Sequence, residues 1–327
     1  PGRPERKRLP PWFKTQLPTG EAMKIFEETR TRVESNQLNT VCEEARCPNI
    51  HDCWSRGTAT FMIAGHACTR GCRFCAVDTM KTPAQLDPNE PSNLAEAITR
   101  MGLSHAVITV VNRDDLPDGG AQHYRNCIME VHKRSPEVGL ELLCSDLDGN
   151  LEALAALLYE LPLSVFAHNV ECVPRLDPIV RDPRASFTQS LRILSEASYL
   201  RPDLKIKSSL MVGLGETDLE VVDAMRLLKD AGVQMITIGQ YLRPSDRHLP
   251  VDRFPEPSSF MMWDEQARKI GFEAVACGPL VRSSYRAGLL FDESEGAEPV
   301  VTRDSTGSAI SSLQIHRPTM NKEGLAT

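Results

Sequence analysis

The sequence has no apolar run of about 18 residues, the length a membrane-spanning helix needs. It is also short of positive charge. Its 37 Lys and Arg stand against 44 Asp and Glu, a formal net charge of -7, which speaks against general binding to nucleic acid or to an anionic membrane surface. The basic run Arg3, Arg6, Lys7, Arg8 is too short to change that and reads as a solvated arm, or one that helps dock an acidic partner. There is no solenoid-type repeat and no complete G-x-G-x-x-G. No targeting peptide is evident, and the chain opens on Pro1, so the expectation is a cytoplasmic protein, or an organellar one if a transit peptide has been trimmed.

What is present is a chain of 327 residues, 41% hydrophobic and 25% charged, enough for one large globular domain or two ordinary ones. Its ten cysteines cluster in short C-x-C patterns. In a chain with ample apolar residues, this points to metal binding in a reducing compartment rather than to a disulfide framework. Cys68-Thr-Arg-Gly-Cys72-Arg-Phe-Cys75 has the spacing C-x3-C-x2-C. Three thiolates so placed hold three irons of a 4Fe–4S cubane and leave the fourth open to a small molecule. Zinc usually takes paired C-x2-C units and fits this spacing poorly. Arg70 and Arg73 put positive charge beside the thiols, which should favour thiolate, and Gly71 gives the loop freedom to wrap a compact core. A second triad, Cys42, Cys47 and Cys53, is spaced C-x4-C-x5-C and ends 15 residues earlier. Alone it leaves zinc open; beside the first it indicates two clusters, each one protein ligand short.

Along the chain, residues 1–20 read as an extended arm and 21–35 as a helix with Met23, Phe26 and Val33 only loosely periodic. Strands are expected at 58–64, 105–111, 140–144, 163–168, 205–212 and 234–241. Helical patterns lie between them, including one capped by Ser92 and one opened by the capping box Thr217-Asp-Leu-Glu220 and ended by Gly232. Six β/α units in succession predict an α/β fold with a parallel sheet. A flavodoxin-like sheet is possible, but a partial (β/α)6 TIM-like barrel with N- and C-terminal extensions fits the count better. The expected divisions are 1–57, carrying the second triad; 58–245, the barrel; 246–290, an extension with a helix near 257–269, a strand at 272–277 and the run Arg282-Ser-Ser-Tyr285; and 291–327, a disordered tail poor in large apolar groups.

In parallel barrels the reactive groups sit at the C-terminal ends of the strands, and the loops of interest all fall there. His168-Asn169-Val-Glu171 follows strand four and can bind a ribose or amino acid through Asn169 and Glu171, or be an ordinary polar strand end. Gly213-Leu-Gly215-Glu216 follows strand five and permits either close backbone approach to an adenine or methionyl group or merely a tight turn. Asp114 and Asp115, beside Arg113, read as structural rather than as acid/base carboxylates. His51 is a candidate ligand or a solvated histidine. Cys127, Cys144, Cys172 and Cys277 read as small buried hydrophobes.

The first triad, with the aromatic Phe74 before its third cysteine, resembles the signature of the radical S-adenosylmethionine (SAM) superfamily. The whole chain, about residues 10–290, resembles the lipoyl synthase family. That match rests on both triads, on Arg113-Asp-Asp-Leu-Pro-Asp-Gly-Gly120, His168-Asn-Val-Glu171, Gly213-Leu-Gly-Glu216 and Gly239-Gln-Tyr-Leu-Arg-Pro244, and on Gly278-Pro-Leu-Val-Arg-Ser-Ser-Tyr285. Asn112 stands where an acidic residue is common in the family, Leu143-Cys-Ser-Asp-Leu147 replaces its more usual stretch, and the tail has no counterpart. The resemblance implies that a cluster on Cys68, Cys72 and Cys75 binds and cleaves SAM, with Phe74, Asn169, Glu171, Gly213 and Gly215 near that cofactor. The 5′-deoxyadenosyl radical so released would take hydrogens from C6 and C8 of an octanoyl-lysine. A sacrificial 4Fe–4S cluster on Cys42, Cys47, Cys53 and Ser284 would supply two sulfurs. The implied partners are octanoylated lipoyl carriers (2-oxoacid dehydrogenase E2, glycine cleavage H protein), an electron donor such as flavodoxin or ferredoxin, and an iron–sulfur carrier protein. Two other readings stay open: a different sulfur-inserting radical SAM enzyme, methylthiotransferase-like, and a non-catalytic iron–sulfur electron carrier. The first would lack Arg-Ser-Ser-Tyr, and the second would need every iron ligated by protein.

Overall fold

Seven runs of aliphatic and β-branched residues pair into one sheet in this computed structural model, which describes residues 9–13, 19–35, 40, 42, 47, 49–56 and 58–297. The strands are β1 (Thr58–Ile63), β2 (His105–Val110), β3 (Gly139–Leu143), β4 (Val165–Ala167), β5 (Lys205–Val212), β6 (Met235–Gln240) and β7 (Ala274–Gly278). Each pairs with the next in chain order, all parallel. A flavodoxin-like sheet reorders its strands about a switch point; the unbroken order here belongs instead to a barrel left open between β1 and β7. The six expected strands stand within two residues of their predicted ends. The strand expected in the C-terminal extension adds to them: its ladder from Met235↔Ala274 to Gly239↔Gly278 makes it the seventh barrel strand.

The helices are α1 (Glu21–Ser35), α2 (Ile50–Trp54), α3 (Glu90–Met101), α4 (Ala121–Arg134), α5 (Leu151–Leu158), α6 (Phe187–Leu200), α7 (Asp218–Asp230), α8 (Pro257–Ile270) and α9 (Ala287–Ser294). Their starts follow local chemistry. Asn150 caps α5 through the Ala153 N–H at 3.0 Å, Ser186 caps α6 through Gln189 N–H at 3.1 Å, and Thr217 and Glu220 form the expected reciprocal capping box on α7. Ser92 is not a cap: α3 starts two residues earlier, because Pro91 is tolerated in a first turn, and the Ser92 hydroxyl accepts from Arg134 Nη2 at 2.7 Å.

Phe26 of α1 packs on His51 and Trp54 of α2, with ring centroids 4.4 and 6.0 Å apart, so His51 is a packed ring rather than a solvated one. Phe13 of the N-terminal arm meets Phe254 edge-on. At the opposite end α9 lies beneath the barrel: Gly288 sits against His105 and Thr58, and Leu290 joins Val165, Met235, Ala274 and Ala276 in an inner core. The expected tail therefore starts inside a helix, and residues 298–327 lie outside the described residues. On the barrel floor the Lys207 ammonium donates to both oxygens of buried Glu141 at 2.8 and 2.9 Å.

Candidate functional site

Strand β1 is followed by Ala64 and Gly65, both in the left-handed region (φ 69° and 92°), and this turn sends the chain into the cysteine loop. Cys68, Cys72 and Cys75, each half-buried, line one cavity of ≈ 280 Å³ with Phe74, Asn169 and Glu171. Three neighbouring strand-end loops hold the cysteine loop in place. Thr69 N–H donates to the Asn112 carbonyl at 3.0 Å and Arg73 N–H to the Val180 carbonyl at 2.9 Å. Gly71 N–H reaches Asp182 Oδ2 at 2.8 Å, and His248 Nε2 donates to the Cys75 carbonyl at 2.9 Å.

The charge beside the thiols is arranged differently from the sequence expectation. Arg70 is buried and spent on carboxylates: Nη2 lies 2.8 Å from Asp114 Oδ1 and Nη1 2.6 Å from Asp146 Oδ2. A guanidinium taken out of water needs such partners, so Arg70 braces the loop rather than polarising the cysteines. Asp115 is likewise paired, on Arg113 at 2.8 Å, and both aspartates are structural as expected. Without a metal, burial pushes the Cys72 thiol up to about 11 and raises Cys75 as well. Thiolates here therefore need a cation bound directly to sulfur, which deprotonates a ligating thiol outright. Backbone N–H groups of Arg70 and Asp182 already point at the sulfurs of Cys68 and Cys72, each at 3.4 Å. Three thiols facing one cavity, with amides directed at two of them, fit a metal–sulfur cluster.

Asn169 and Glu171 reach this cavity as expected. Glu171 is a second strained non-glycine (φ 69°); desolvation raises its carboxyl, and Asn169 Nδ2 donates to its Oε1 at 3.2 Å. His168 lines the same cavity, but its ring nitrogens are committed internally, bridging the Cys144 carbonyl at 2.9 Å and Ser190 Oγ at 2.8 Å. Gly213 and Gly215 line neither this cavity nor the one beside it. Gly213 N–H donates to Glu216 Oε1 at 2.7 Å, and a side chain at 213 would strike Gln240 and the Arg253 carbonyl. Sequence reasoning missed the run Arg181–Arg184. Buried Arg181 lines the cavity, and Arg184 links the Thr69 carbonyl to Asp182 at 2.9 Å and to Asp114. Its position after β4, on the face where every other site loop lies, was the available signal.

A second cavity of ≈ 150 Å³ adjoins the first. Phe74, Asn169 and Glu171 line both, and Leu210, Arg282 and Ser283 line the second alone. Arg282 to Arg286 also meets the N-terminal triad. Asn49 Nδ2 donates to the Leu280 carbonyl at 2.6 Å, Arg286 Nε to Asp52 Oδ2 at 2.6 Å, and Arg286 N–H to the Cys53 sulfur. Cys42 and Cys53 are buried and Cys47 half-buried, with Cys47 N–H donating to the Cys42 carbonyl at 2.9 Å. Burial lifts Cys42 and pushes Cys53 up to about 12. Ser284 is half-buried in the turn between Arg282 and Arg286. Cys127, Cys144, Cys172 and Cys277 are buried, as expected.

A model of the radical SAM superfamily matches residues 62–228, and a model of the N-terminal domain of lipoyl synthase matches residues 2–47. The chain is 47% identical over 315 residues to the mitochondrial lipoyl synthase of Uncinocarpus reesii, covering 95% of this chain and 74% of that one. It is 48% identical over 292 residues to the mitochondrial lipoyl synthase of Bos taurus (88% and 77%). With the lipoyl synthase of Halorhodospira halophila it shares 48% over 299 residues (91% and 88%). Among solved structures it is similar to methylornithine synthase, with a TM-score of 0.51 at 12% identity over 86% of this chain and 85% of that one. It is also similar to HydG, a maturase of the [FeFe]-hydrogenase, with a TM-score of 0.52 at 12% identity over 85% and 66%. These two likenesses carry the fold alone.

Proposed function

The chain belongs to the lipoyl synthase family of the radical SAM superfamily, an enzyme that inserts sulfur and uses SAM with a 4Fe–4S cluster, and we propose how its own residues divide that work. Cys68, Cys72 and Cys75 hold the SAM-cleaving cluster, and Cys42, Cys47 and Cys53 with Ser284 hold a second, sulfur-donating one. When bound, the first supplies the electron that cleaves SAM and the second supplies the sulfurs placed at C6 and C8 of an octanoyl-lysine. Phe74, Asn169 and Glu171 border both cavities, so the same side chains orient SAM on one side and the alkyl chain on the other. Leu210, Met211 and Leu242 give the second cavity walls that exclude water from that chain. Gly213 and Gly215 act at one remove, through the Glu216-held turn that seats Gln240 against the second cavity.

The observation that carries this reading is the position of the second cavity, bordered by Phe74 of one cysteine loop and by Arg282 and Ser283 of the segment that meets the other triad. The substrate is a protein-borne octanoyl group, on lipoyl domains of 2-oxoacid dehydrogenase E2 or on glycine cleavage H protein. A flavodoxin- or ferredoxin-type donor reduces the enzyme, and an iron–sulfur carrier rebuilds it. No helix among the described residues is long and apolar enough to cross a membrane, and relatives bear the name mitochondrial; the proposed setting is the cytoplasm or an organellar matrix. The test is reconstituted enzyme with octanoylated carrier peptide, SAM and dithionite, read by mass spectrometry. Wild type should give lipoyl peptide. With all three of Cys68, Cys72 and Cys75 changed to Ala, the protein should keep the auxiliary cluster's iron yet form no 5′-deoxyadenosine. Retained SAM cleavage in that variant would sink the assignment.

A further inference from the structure

Glu90, the first residue of α3, lies outside both cavities. Its Oε2 accepts the Ala64 N–H at 2.8 Å and a hydrogen bond from His123 Nε2 at 2.5 Å. From the other side Arg113 Nη1 donates to the Ala64 carbonyl at 3.1 Å, and the same guanidinium is fixed on Asp115 by two bonds of 2.8 Å. Both backbone polar groups of one residue are thus gripped by charged side chains from two other elements. That residue needs it: Ala64 is left-handed at φ 69° with a Cβ to accommodate, a conformation that persists only where surroundings enforce it. It sits four residues before Cys68, at the stem of the cysteine loop.

Cys127 Sγ lies 3.8 Å from His123 Nε2, so Glu90, His123 and Cys127 are near enough to one another to raise the question of an ion. Two ligands held at about 2.0 Å by one tetrahedral zinc would be about 3.3 Å apart. His123 and Glu90 are at hydrogen-bonding distance instead, and Glu90 Oε2 also serves Ala64. The trio is a brace.

We propose that Glu90, oriented by His123 and opposed by Arg113, is a positioning residue that sets where Cys68 stands relative to Cys72 and Cys75. Those two are held independently, through Asp182, Val180 and His248. Cys68 has tethers of its own, Met80 N–H on its carbonyl at 2.9 Å and Thr69 N–H on the Asn112 carbonyl at 3.0 Å. Neither fixes the Ala64 turn, so loosening the stem shifts this one ligand of three and disturbs the placement of SAM while leaving the barrel intact. The inference rests on the reading of Cys68, Cys72 and Cys75 as the SAM-cleaving ligands.

The test uses anaerobic, reconstituted enzyme. Glu90→Ala should raise amide exchange at residues 64–68 about tenfold, with the exchange of β5 and β6 unchanged. It should alter the electron paramagnetic resonance change that SAM causes in the reduced protein, and raise the 5′-deoxyadenosine formed per lipoyl product. Glu90→Gln keeps an acceptor for the Ala64 N–H and should restore most of the protection. His123→Leu, which removes only the orienting partner, should fall between the two and serves if Glu90→Ala fails to fold. Wild-type exchange and coupling in Glu90→Ala overturn the proposal, as does protection lost evenly across the barrel, or wild-type behaviour of His123→Leu where only that variant folds. Failure of the underlying reading looks different: the triple cysteine variant would then still cleave SAM.

Discussion

At the scale of single residues, the sharpest question is why a serine should complete a set of three cysteines, as proposed for Ser284. Oxygen is a harder donor than sulfur and holds iron less well. At a cluster that gives up its sulfur, a weakly held iron is the one able to leave. Ser284 occupies the turn between Arg282 and Arg286. Arg286 is paired with Asp52, while Arg282 donates to the neutral carbonyls of Gln240 and Val281 and is the positive neighbour that favours an anionic oxygen. Ser284→Ala is expected to go on cleaving SAM while making little or no lipoyl product, with Ser283→Ala milder. Full sulfur insertion by Ser284→Ala, together with an unchanged Mössbauer spectrum of the auxiliary cluster, would refute the ligand role.

At the scale of elements, the C-terminal segment does the joining. It leaves β7 at the open face, passes Val281 over β6, presents the serine turn to α2, and ends as α9 against the barrel floor. It runs hard against Gly239, where an added Cβ would lie 2.0 Å from the Val281 carbonyl oxygen. Backbone cannot rotate aside as a side chain can, so Gly239→Ala must displace the segment. The expected cost is about 1–3 kcal/mol of stability, the range for overpacking. The functional signature should be selective, with SAM cleavage largely kept and lipoyl product falling at least tenfold. Thermal unfolding and the ratio of the two products check it; equal loss of both activities would mean that the damage is not confined to the segment.

At the scale of the whole molecule, the buried polar groups make stability depend on pH. Burial is the main influence lowering His168 to about 4, with the nearby Asp146 carboxylate partly opposing it. The neutral ring matches its partners, donating to the Cys144 carbonyl and accepting from Ser190. Unfolded histidine takes a proton near 6.5. Between about 6.5 and 4 the unfolded chain therefore binds a proton that the folded one refuses, and stability falls as pH falls through that window. The contribution is fully present above it. A tenfold difference in proton affinity between the folded and unfolded ring corresponds to about 1.4 kcal/mol, so urea unfolding measured from pH 7 to 4.5 should show the decline. His168→Gln should flatten it while lowering stability at pH 7. An unchanged slope in that variant would assign the acid sensitivity to other groups, of which Glu141 comes next: burial works to raise its carboxyl, but the Lys207 ammonium helps hold it below the ordinary glutamate value.

Much of this was legible in the chain itself, because it is written in short spacings. Three cysteines within eight positions declare a cluster loop whatever surrounds them. Alternating apolar runs and capping residues declare six strands in nearly their final places, since β-branched runs and Thr-x-x-Glu boxes act locally. That β7 completes the sheet was not legible, because five buried residues read alike inside a barrel or beside it. Nor could adjacency in sequence tell what Arg70 does: it stands between two of the loop's cysteines, yet its charge is taken by Asp114 and Asp146, 44 and 76 residues away. The same holds for the clamp on Ala64, the role of Arg181–Arg184, and the passage of Arg282–Arg286 to the N-terminal triad. Sequence determined which groups could do the chemistry, because donor type and spacing are properties of the chain. Tertiary structure decided which charges face the thiols, since a buried cation is claimed by whatever carboxylate the fold brings within hydrogen-bonding reach.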